Sequence, residues 1–221
     1  MSITPRLRGG LFVDGFNLYH AIDDLGQPYL KWLSLNRLGR RLMAPFGTDV
    51  SEVVFCTALF KRDFGKLKRH EAYIAAMEAE GVRVLQGHTT HEDMDCNACG
   101  HVWKQPREKE TDINVALSLF DSAFSGRIDI AFLVTADTDQ AATLRFVGQM
   151  CPNVRVVVLT PPGRPTPAHL QNLSWKSVRI SETDLDLSVL PAMIQPPAGR
   201  LVVRPPNYLP PSGWVHPDDR K

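Results

Sequence analysis

Ile130-Ala-Phe-Leu-Val-Thr-Ala-Asp-Thr-Asp139 is the segment from which the architecture of this chain can be inferred. It is a short apolar run that stops at two carboxylates, Asp137 and Asp139, and a helical pattern over Gln140–Met150 follows. The length of the run and its neighbours predict a buried parallel strand rather than part of a helix. Parallel strands of open α/β sheets present functional side chains at their carboxyl ends, so both acids are expected at that edge. The alternative is structural, with Asp139 as a helix N-cap and Asp137 in a turn.

A similar junction of strand, acid and helix occurs near the beginning of the sequence. Gly10–Val13 is apolar and leads into Asp14-Gly-Phe-Asn17, after which a helix is expected from Leu18 to about Asp24. An isolated Asp-Gly pair is most simply a tight turn. Two separate strands that both end at acids are harder to explain as turns alone. The amide of Asn17 either caps the following helix, or reaches into a ligand site, or does both.

Composition restricts the classes of protein to consider. The 221 residues are enough for one ordinary domain, or for one domain with an extension. The 25 basic and 24 acidic residues nearly balance, so attraction to nucleic acid would need a local basic patch. The sequence has no apolar run of membrane-spanning length and no secretory h-region, which predicts a soluble, cytoplasmic protein without a membrane partner. Two of the four cysteines, Cys56 and Cys151, have apolar neighbours and are predicted to be buried thiols.

The other two cysteines lie in a polar segment, 88–107, that has neither the helical nor the strand period. The spacing in Cys96-Asn-Ala-Cys99-Gly allows two thiolates to bind one tetrahedral Zn²⁺, as a structural rather than a catalytic ion. A reduced dithiol, a local disulfide and a zinc site that has decayed are the alternatives. The histidines that could supply further ligands are His88, His91 and His101.

The rest of the chain alternates predicted strands and helices. Thr111–Phe124 is predicted to be an amphipathic helix with Asp112 in its first turn, where the helix dipole favours an acid. Its buried stripe would consist of Ile113, Ala116, Leu117, Phe120 and Phe124. The further strands are Val53–Phe60, Val82–Gly87, Arg155–Thr160 and Ser177–Ile180, and the further helices are Leu33–Met43, Lys66–Glu80 and Ala168–Leu173.

Three segments together resemble the NYN family, a branch of the PIN-like metal-dependent nucleases. They are Phe12-Val-Asp-Gly-Phe-Asn-Leu-Tyr19, Glu108-Lys-Glu-Thr-Asp112 and Val134-Thr-Ala-Asp-Thr-Asp139. The resemblance extends over about Gly10 to Ile180 and includes the CxxC insertion at about 88–107. It implies a nuclease domain over 1–190 with an α/β fold, a three-layer α/β/α sandwich around a mostly parallel, Rossmann-like sheet. A proline-rich tail, 191–221, would lie outside this domain and could dock a protein partner or be inert.

The resemblance also implies the residues of an active site. Its acids would be Asp14, Asp112, Asp137 and Asp139, with Asn17 as their polar neighbour and Thr135 and Thr138 as supporting hydroxyls. The family often has Ser-Gly-Asp-Ser-Asp where this chain has Thr135-Ala-Asp-Thr-Asp, so Ala136 stands where a glycine is usual. Family members often carry glycine ahead of the second acid, where this chain has Glu110-Thr111. Whether Glu110 also faces the metal stays open.

The expected chemistry follows from the clustering of the acids. Carboxylates held together repel one another unless a cation neutralises them, and all-oxygen ligands suit Mg²⁺ or Mn²⁺. The expected activity is hydrolysis of phosphodiester bonds in single-stranded RNA, with the ion polarising the phosphate and lowering the pKa of the attacking water. Lys61, Arg62 or Lys109 would contact the RNA backbone, and Phe16 or Tyr19 would stack on a base.

Two other functions are compatible with the same residues. One is an RNA-binding or nucleotide-binding module that retains the acids and cleaves nothing. The other is a Mg²⁺-dependent phosphatase that uses the same ion site. For the nuclease, a homodimer would help to build the substrate groove.

Overall fold

The computed structural model describes residues 6–60 and 63–220. Seven strands form one sheet: β1 (Leu7–Asp14), β2 (Thr48–Ala58), β3 (Arg83–Asp95), β4 (Val102–Lys109), β5 (Ile130–Val134), β6 (Arg155–Thr160) and β7 (Lys176–Arg179). Their order across the sheet is β4-β3-β2-β1-β5-β6-β7, and neighbours are parallel except for β3 and β4. The chain is therefore an α/β protein with a mostly parallel central sheet, as the sequence predicts.

Helices connect most successive strands. They are α1 (Gly15–Asp24), α2 (Leu35–Met43), α3 (Phe64–Ala79), α4 (Thr111–Phe124), α5 (Ala141–Met150), α6 (Ala168–Leu173) and α7 (Glu182–Asp186). The limits of α4, α6 and β6 are those predicted from the sequence. In the described ranges, none of the helices has the length and apolar character needed to cross a membrane.

Alternate residues of the central strand β1 face two separate clusters of buried side chains. Leu11 and Val13 belong to one cluster, together with Trp32. Phe12, between them, belongs to the other cluster, together with Leu119 of α4. All five side chains are inaccessible to solvent. A strand buried on both sides is what a continuous apolar run in a parallel sheet predicts.

Residues 88–107 lie in an antiparallel hairpin that extends beyond the sheet. Gly87 is the last residue of β3 that pairs with β2, and from His88 to Asp95 the same strand pairs with β4. Most described side chains of the hairpin are exposed or half-buried. Because neither face of the hairpin is buried, its sequence lacks the alternation of apolar and polar residues that marks a strand, although its backbone pairs regularly.

The buried face of α4 differs from the predicted one. Ile113, Leu117 and Phe124 are 59%, 60% and 67% exposed, so the prediction that they form the buried stripe is wrong. The side chains that face the core are instead smaller on average: Thr111, Val115, Ser118, Leu119, Ser122 and Ala123. The helix has apolar residues on two sides, and the side with the small residues allows α4 to approach the sheet closely.

Residues 191–220 pack along the domain and include a second, two-stranded sheet of β8 (Met193–Ile194) and β9 (Val202–Val203). The ring of Trp214 packs on Tyr29, with 5.5 Å between ring centroids, and its Nε1 donates to Asp186 Oδ1 at 2.6 Å. Arg37 donates to both carboxylate oxygens of Asp218 at 2.7 Å. The tail is thus held by directional contacts as well as by packing.

Candidate active site

Asp14 ends β1 at the carboxyl edge of the sheet, and its side chain is buried, with 2% relative exposure. Its Oδ1 accepts from the backbone N–H of Asn17 at 3.0 Å, and its Oδ2 accepts from the Asn17 side-chain amide at 2.8 Å. Asp14 is therefore the N-cap of α1, and the prediction that Asn17 could cap this helix is wrong. The Asn17 amide instead orients the acid.

Gly15, the first residue of α1, allows the junction to pack closely against β2. A β-carbon at this position would lie 2.5 Å from the carbonyl oxygen of Cys56 and 2.7 Å from the ring of Phe55. Such a distance to a backbone oxygen is too short for any side chain, so the position requires glycine. Asp14-Gly15 is thus a tightly packed strand-to-helix junction rather than an isolated turn.

A series of hydrogen bonds joins Asp14 to the loop after β5. Thr135 Oγ1 donates to Asp14 Oδ2 at 3.2 Å and accepts from the backbone N–H of Asp137 at 3.0 Å. The side-chain oxygen of Asn17 accepts from the backbone N–H of Ala136 at 3.0 Å. Ala136 is not among the residues with positive φ in the described chain, so alanine fits here without backbone strain. Thr135 is thereby a supporting hydroxyl for two segments at once.

Asp137 directly precedes a single 3₁₀ turn, Thr138–Gln140, and Asp139 lies within that turn. Asp137 Oδ1 accepts from the backbone N–H of Asp139 at 2.9 Å, so Asp137 forms a turn as well as facing the edge of the sheet. Asp139 and Thr138 are exposed. The structural and the functional interpretations of Asp137 are therefore compatible.

The first turn of α4 is held at the same edge by Gln140, whose side chain is 2% exposed. Gln140 Nε2 donates to the backbone carbonyl of Asp112 at 3.2 Å, and its Oε1 accepts from Thr143 Oγ1 at 2.9 Å. Sequence reasoning missed Gln140, because a bond from a side chain to a distant carbonyl has no periodic signature. Gln140 positions Asp112 relative to the loop that carries Asp137.

The acids at this edge raise the pKa values of their neighbours. Burial is the largest cause of the raised pKa of Asp14, and hydrogen bonds from Asn17 and Thr135 oppose it. Desolvation raises the pKa of Asp112 to about 6, and nearby negative charges add to this effect. Those charges belong to Asp14, Asp137, Glu108 and Asp139. These interactions link Asp112 to the other three predicted acids and to Glu108, which sequence reasoning did not single out.

Glu110, immediately before α4, has a left-handed backbone with φ of 77°, a conformation that favours glycine. Its carboxylate lies 3.2 Å from Nδ1 of His88, on the hairpin. Glu108 Oε1 accepts a hydrogen bond from the backbone N–H of Thr111 at 2.8 Å. It thereby provides a partner for one of the N–H groups at the start of α4 that have none within the helix. Glu110 thus adopts a backbone conformation that favours glycine, and its side chain contacts the hairpin.

Of the three basic residues expected to contact RNA, the structure describes only Lys109. Lys61 and Arg62 lie outside the described residues. Lys109, the last residue of β4, places Nζ 2.6 Å from Glu92 Oε1 on the paired strand. The charge of Lys109 is therefore balanced within the hairpin.

Three ring side chains, those of Phe16, Tyr19 and His20, follow the buried acid Asp14 in the sequence of α1. Phe16 is half-buried and packs edge-on against Phe60, with 5.3 Å between ring centroids, and beside the exposed His20, at 6.4 Å. Tyr19 is exposed, and Lys31 Nζ lies 4.7 Å from the centroid of its ring. Phe16 and His20 thus offer planar groups close to Asp14 in the chain.

The donors at this edge suit a hydrated hard cation better than a fully protein-bound one. Among the side chains that the structure describes, which do not include that of His91, no group of three or more His, Cys, Asp or Glu is placed to hold a metal ion. Mg²⁺ commonly takes only one or two carboxylates and keeps several waters. One buried carboxylate and a second of raised pKa, with hydroxyl and amide groups around them, fit such an ion. At most two of Asp14, Asp112 and Asp137 would bind such an ion directly, and the third would contact it through a bound water.

The four cysteines are free thiols in two different settings. Cys56 and Cys151 are buried, as predicted, and burial raises the pKa of the Cys56 thiol to about 12. Cys96 and Cys99 lie at the tip of the hairpin between β3 and β4. Backbone N–H groups of Ala98 and Cys99 donate to Cys96 and lower the pKa of its thiol.

Comparison with known proteins gives two informative similarities. The chain is 25% identical over 245 aligned positions to 6-hydroxy-3-succinoylpyridine 3-monooxygenase HspA of Pseudomonas putida, covering 93% of this chain and 76% of that enzyme. A crystal structure of a protein of unknown function from Vibrio parahaemolyticus superposes with a TM-score of 0.55 at 18% identity, covering 82% of this chain and 98% of that one. No protein-family model matches the sequence. The Vibrio protein shares the fold, and the Pseudomonas relative is an enzyme.

Proposed function

We propose that this chain is a divalent-metal-dependent hydrolase of phosphodiester bonds in single-stranded RNA, of the PIN-like NYN type. In this proposal the fold is a three-layer α/β/α sandwich, and the carboxyl edge of its sheet is the active site. One observation carries the proposal: hydrogen bonds through Thr135 and Gln140 join the three separate segments that carry Asp14, Asp112 and Asp137 at that edge. The resemblance of the same three segments to the NYN family supports it.

Each residue of the edge has a distinct task in this proposal. Asp14, Asp112 and Asp137 hold Mg²⁺ or Mn²⁺, directly or through waters. The bound ion supplies positive charge to the phosphate and lowers the pKa of a water. Asn17 and Thr135 fix the direction of the Asp14 carboxylate oxygens, which would otherwise rotate in their pocket. Asp139, exposed beside the turn, orients the attacking water and accepts its proton.

The surroundings of the acids favour a flexible nucleic acid strand as substrate. Phe16 and His20 offer planar faces on which unstacked bases can lie, an interaction that tolerates any base sequence. The acidic edge repels phosphate in the absence of a cation, so substrate binding and catalysis depend on the same ion.

A second candidate is oxygenation of a heteroaromatic ring, favoured by the identity of 25% with a monooxygenase over 93% of this chain. The name of that enzyme specifies 6-hydroxy-3-succinoylpyridine as its substrate. The succinoyl group carries a carboxylate, which an acidic edge repels unless a cation lies between them. Such a reaction also requires O₂ and a two-electron donor.

The test is cleavage of a labelled single-stranded RNA by the purified chain with Mg²⁺, with Mn²⁺ and with chelator. We expect metal-dependent cutting that falls at least about 100-fold in Asp137→Asn, since removal of one charge-stabilising group at an active site costs roughly this much. Asp121→Asn is the matched control. Asp121 lies on α4 like Asp112, but it is exposed and pairs with Arg127 on the surface, so its loss should leave the rate unchanged.

The outcomes separate the candidate functions. Cutting that survives in Asp137→Asn would reject the assigned site. RNA binding without cutting in either metal would indicate the binding module, and turnover of a small phosphomonoester in place of RNA would indicate the phosphatase. Formation of a hydroxylated product from 6-hydroxy-3-succinoylpyridine, with O₂ and a reduced nicotinamide as electron donor, would establish the second candidate.

A further inference from the structure

The hairpin of β3 and β4 carries its two cysteines far from the acidic edge. Eight residue pairs, from His88 opposite Lys109 to Asp95 opposite Val102, separate its base from its tip. At about 3.3 Å per residue, the tip lies on the order of 25 Å from the point where β3 leaves the sheet. A function of the tip is therefore independent of the nuclease proposal.

The loop at the tip has the form of a preorganised metal knuckle. The backbone N–H of Cys96 donates to the carbonyl of His101 at 2.9 Å, and Gly100 N–H donates back to the carbonyl of Cys96 at 2.7 Å. Gly100 takes the left-handed conformation, with φ of 67°, that closes the turn. Hydrogen bonding from the backbone N–H groups of Ala98 and Cys99, and from the Cys99 side chain, lowers the pKa of the Cys96 thiol.

Two sulfurs make only half of a structural zinc site, which takes four ligands in a tetrahedron. His101, the nearest histidine in sequence, is stacked on Trp103, with centroids 6.1 Å apart and planes 15° apart. His88 pairs with Glu110 at the opposite end of the hairpin. The side chain of His91 lies outside the described part of the structure, and among the described side chains no third donor joins the two thiols to form a metal-binding group.

We propose that two copies of this chain bind one Zn²⁺ between their hairpin tips, each copy providing Cys96 and Cys99. The four thiols lose their protons to solvent and bind as thiolates, which completes a tetrahedral site of four sulfurs. A two-fold axis through the ion brings identical surfaces together, as in most homodimers.

Exposed apolar side chains next to the cysteines favour a second copy as the source of the missing ligands. Val102 and Trp103 follow the knuckle directly and are 62% and 40% exposed. Across the two-fold axis, these side chains of one copy can cover those of the other. Burial of both pairs would add hydrophobic stabilisation to the four zinc–sulfur bonds.

The test is the mass of the reduced full-length chain in solution, measured by light scattering and by native mass spectrometry. Metal is first removed with a strong chelator, and Zn²⁺ is then added in steps. We expect the mass to rise from the 24.7 kDa of one chain to twice that value, with one Zn²⁺ per two chains. Cys96→Ser and Cys99→Ser should each abolish the zinc-dependent dimer. His101→Ala should retain it.

Three results would overturn the proposal. A monomer that binds one Zn²⁺ and loses it in His101→Ala would show a site completed within one chain. Failure of the wild-type chain to bind zinc would leave a simple dithiol. A dimer that persists with chelator and in both cysteine variants would place the interface elsewhere. The circular dichroism spectra of Cys96→Ser and Cys99→Ser should match that of the wild type, which shows that both variants fold. Their rates of RNA cleavage should also match the wild type, so that the result for the hairpin tip does not depend on the acidic edge.

Discussion

Asn17 donates to both carboxylate oxygens of Asp14, through its backbone N–H at 3.0 Å and its side-chain amide at 2.8 Å. One residue thus fixes both the position and the rotation of a buried acid. The side-chain oxygen of the same amide accepts from Ala136 in the loop after β5, so Asn17 connects two strand ends. The acid is directed by contacts that exist without any ligand.

The Asn17→Ala variant should therefore be less stable than the wild-type chain. The change removes a donor to a buried carboxylate and leaves the N–H of Ala136 without its partner, which costs about 1–3 kcal/mol. The free energy of unfolding in urea measures the effect. Asn153→Ala, in an exposed turn, is the control and should change stability by less than about 0.5 kcal/mol. Equal stability of Asn17→Ala and the wild type would contradict the assigned role.

Stability without added metal should depend on pH through Asp112. Its folded-state pKa of about 6 lies above the ordinary value for an aspartate, so the folded state holds this proton more tightly than the unfolded state. The stabilising contribution is therefore complete below about pH 4 and is lost as the pH rises through 6. Because Asp112 is partly exposed, solvent screens its charge, and we expect the free energy of unfolding to fall by only about 1 kcal/mol over this pH range.

The Asp112→Asn variant isolates the effect of Asp112 and of its interactions with neighbouring acids, because groups remote from this position titrate equally in both proteins. The stability difference between the variant and the wild type should shift in favour of the variant between pH 4.5 and 7, measured by chemical denaturation. Addition of Mg²⁺ or Mn²⁺ at pH 7 should stabilise the wild type more than the variant, by RT ln(1 + [L]/Kd). A pH-independent difference would show that Asp112 has an ordinary pKa.

Gly15→Ala should disrupt the junction that holds Asp14. The new β-carbon would lie 2.5 Å from the Cys56 carbonyl oxygen, so the backbone must shift, at a cost of about 1–3 kcal/mol. Gly148→Ala, within α5, is the matched comparison. Nothing lies within 4 Å of a β-carbon there, and we expect stabilisation of about 0.5–1 kcal/mol. The midpoint of thermal unfolding should thus fall in Gly15→Ala and rise in Gly148→Ala. A change of the same sign in both variants would contradict the packing argument.

Glu110→Gly should stabilise the chain through its backbone. The left-handed conformation costs an L-residue roughly 1 kcal/mol, which glycine does not incur. Glu110→Ala loses the same contact with His88 but retains the strain, so it is the reference. We expect the midpoint of thermal unfolding to be higher for glycine than for alanine at position 110. The reverse order would show that the conformation is not strained.

The parts of the fold that the sequence predicts best are those where burial and local signals coincide. β5 and β6 are apolar runs that end at polar residues, and α6 and α4 end near turn residues. The hairpin has no such signal, because both of its faces contact solvent. The orientation of α4 was mispredicted because large apolar side chains such as Leu117 and Phe124 indicate burial in general, while packing against this sheet selects small ones such as Ser118.

The sequence predicts the acids of the site, but it does not predict the side chains that hold those acids in position. Each acid follows a strand or begins a helix, and parallel strands bring such positions together without further information. Gln140 and Glu108 support the site through bonds to backbone atoms of α4. Those bonds depend on the distance between elements that are remote in sequence, and no local pattern encodes that distance.

The position of β1 in the sheet has a consequence for how the protein is made. It is the first strand of the sequence and the middle strand of the sheet, and its residue Leu11 pairs with Phe132 of β5. At 5–20 residues per second, a ribosome needs on the order of 10 s to produce the chain between these partners. During that time one side of β1 has no strand to pair with, and its apolar residues are open to chaperones or to aggregation. The strand that carries Asp14 therefore gains its second neighbour only after β5 has been synthesised.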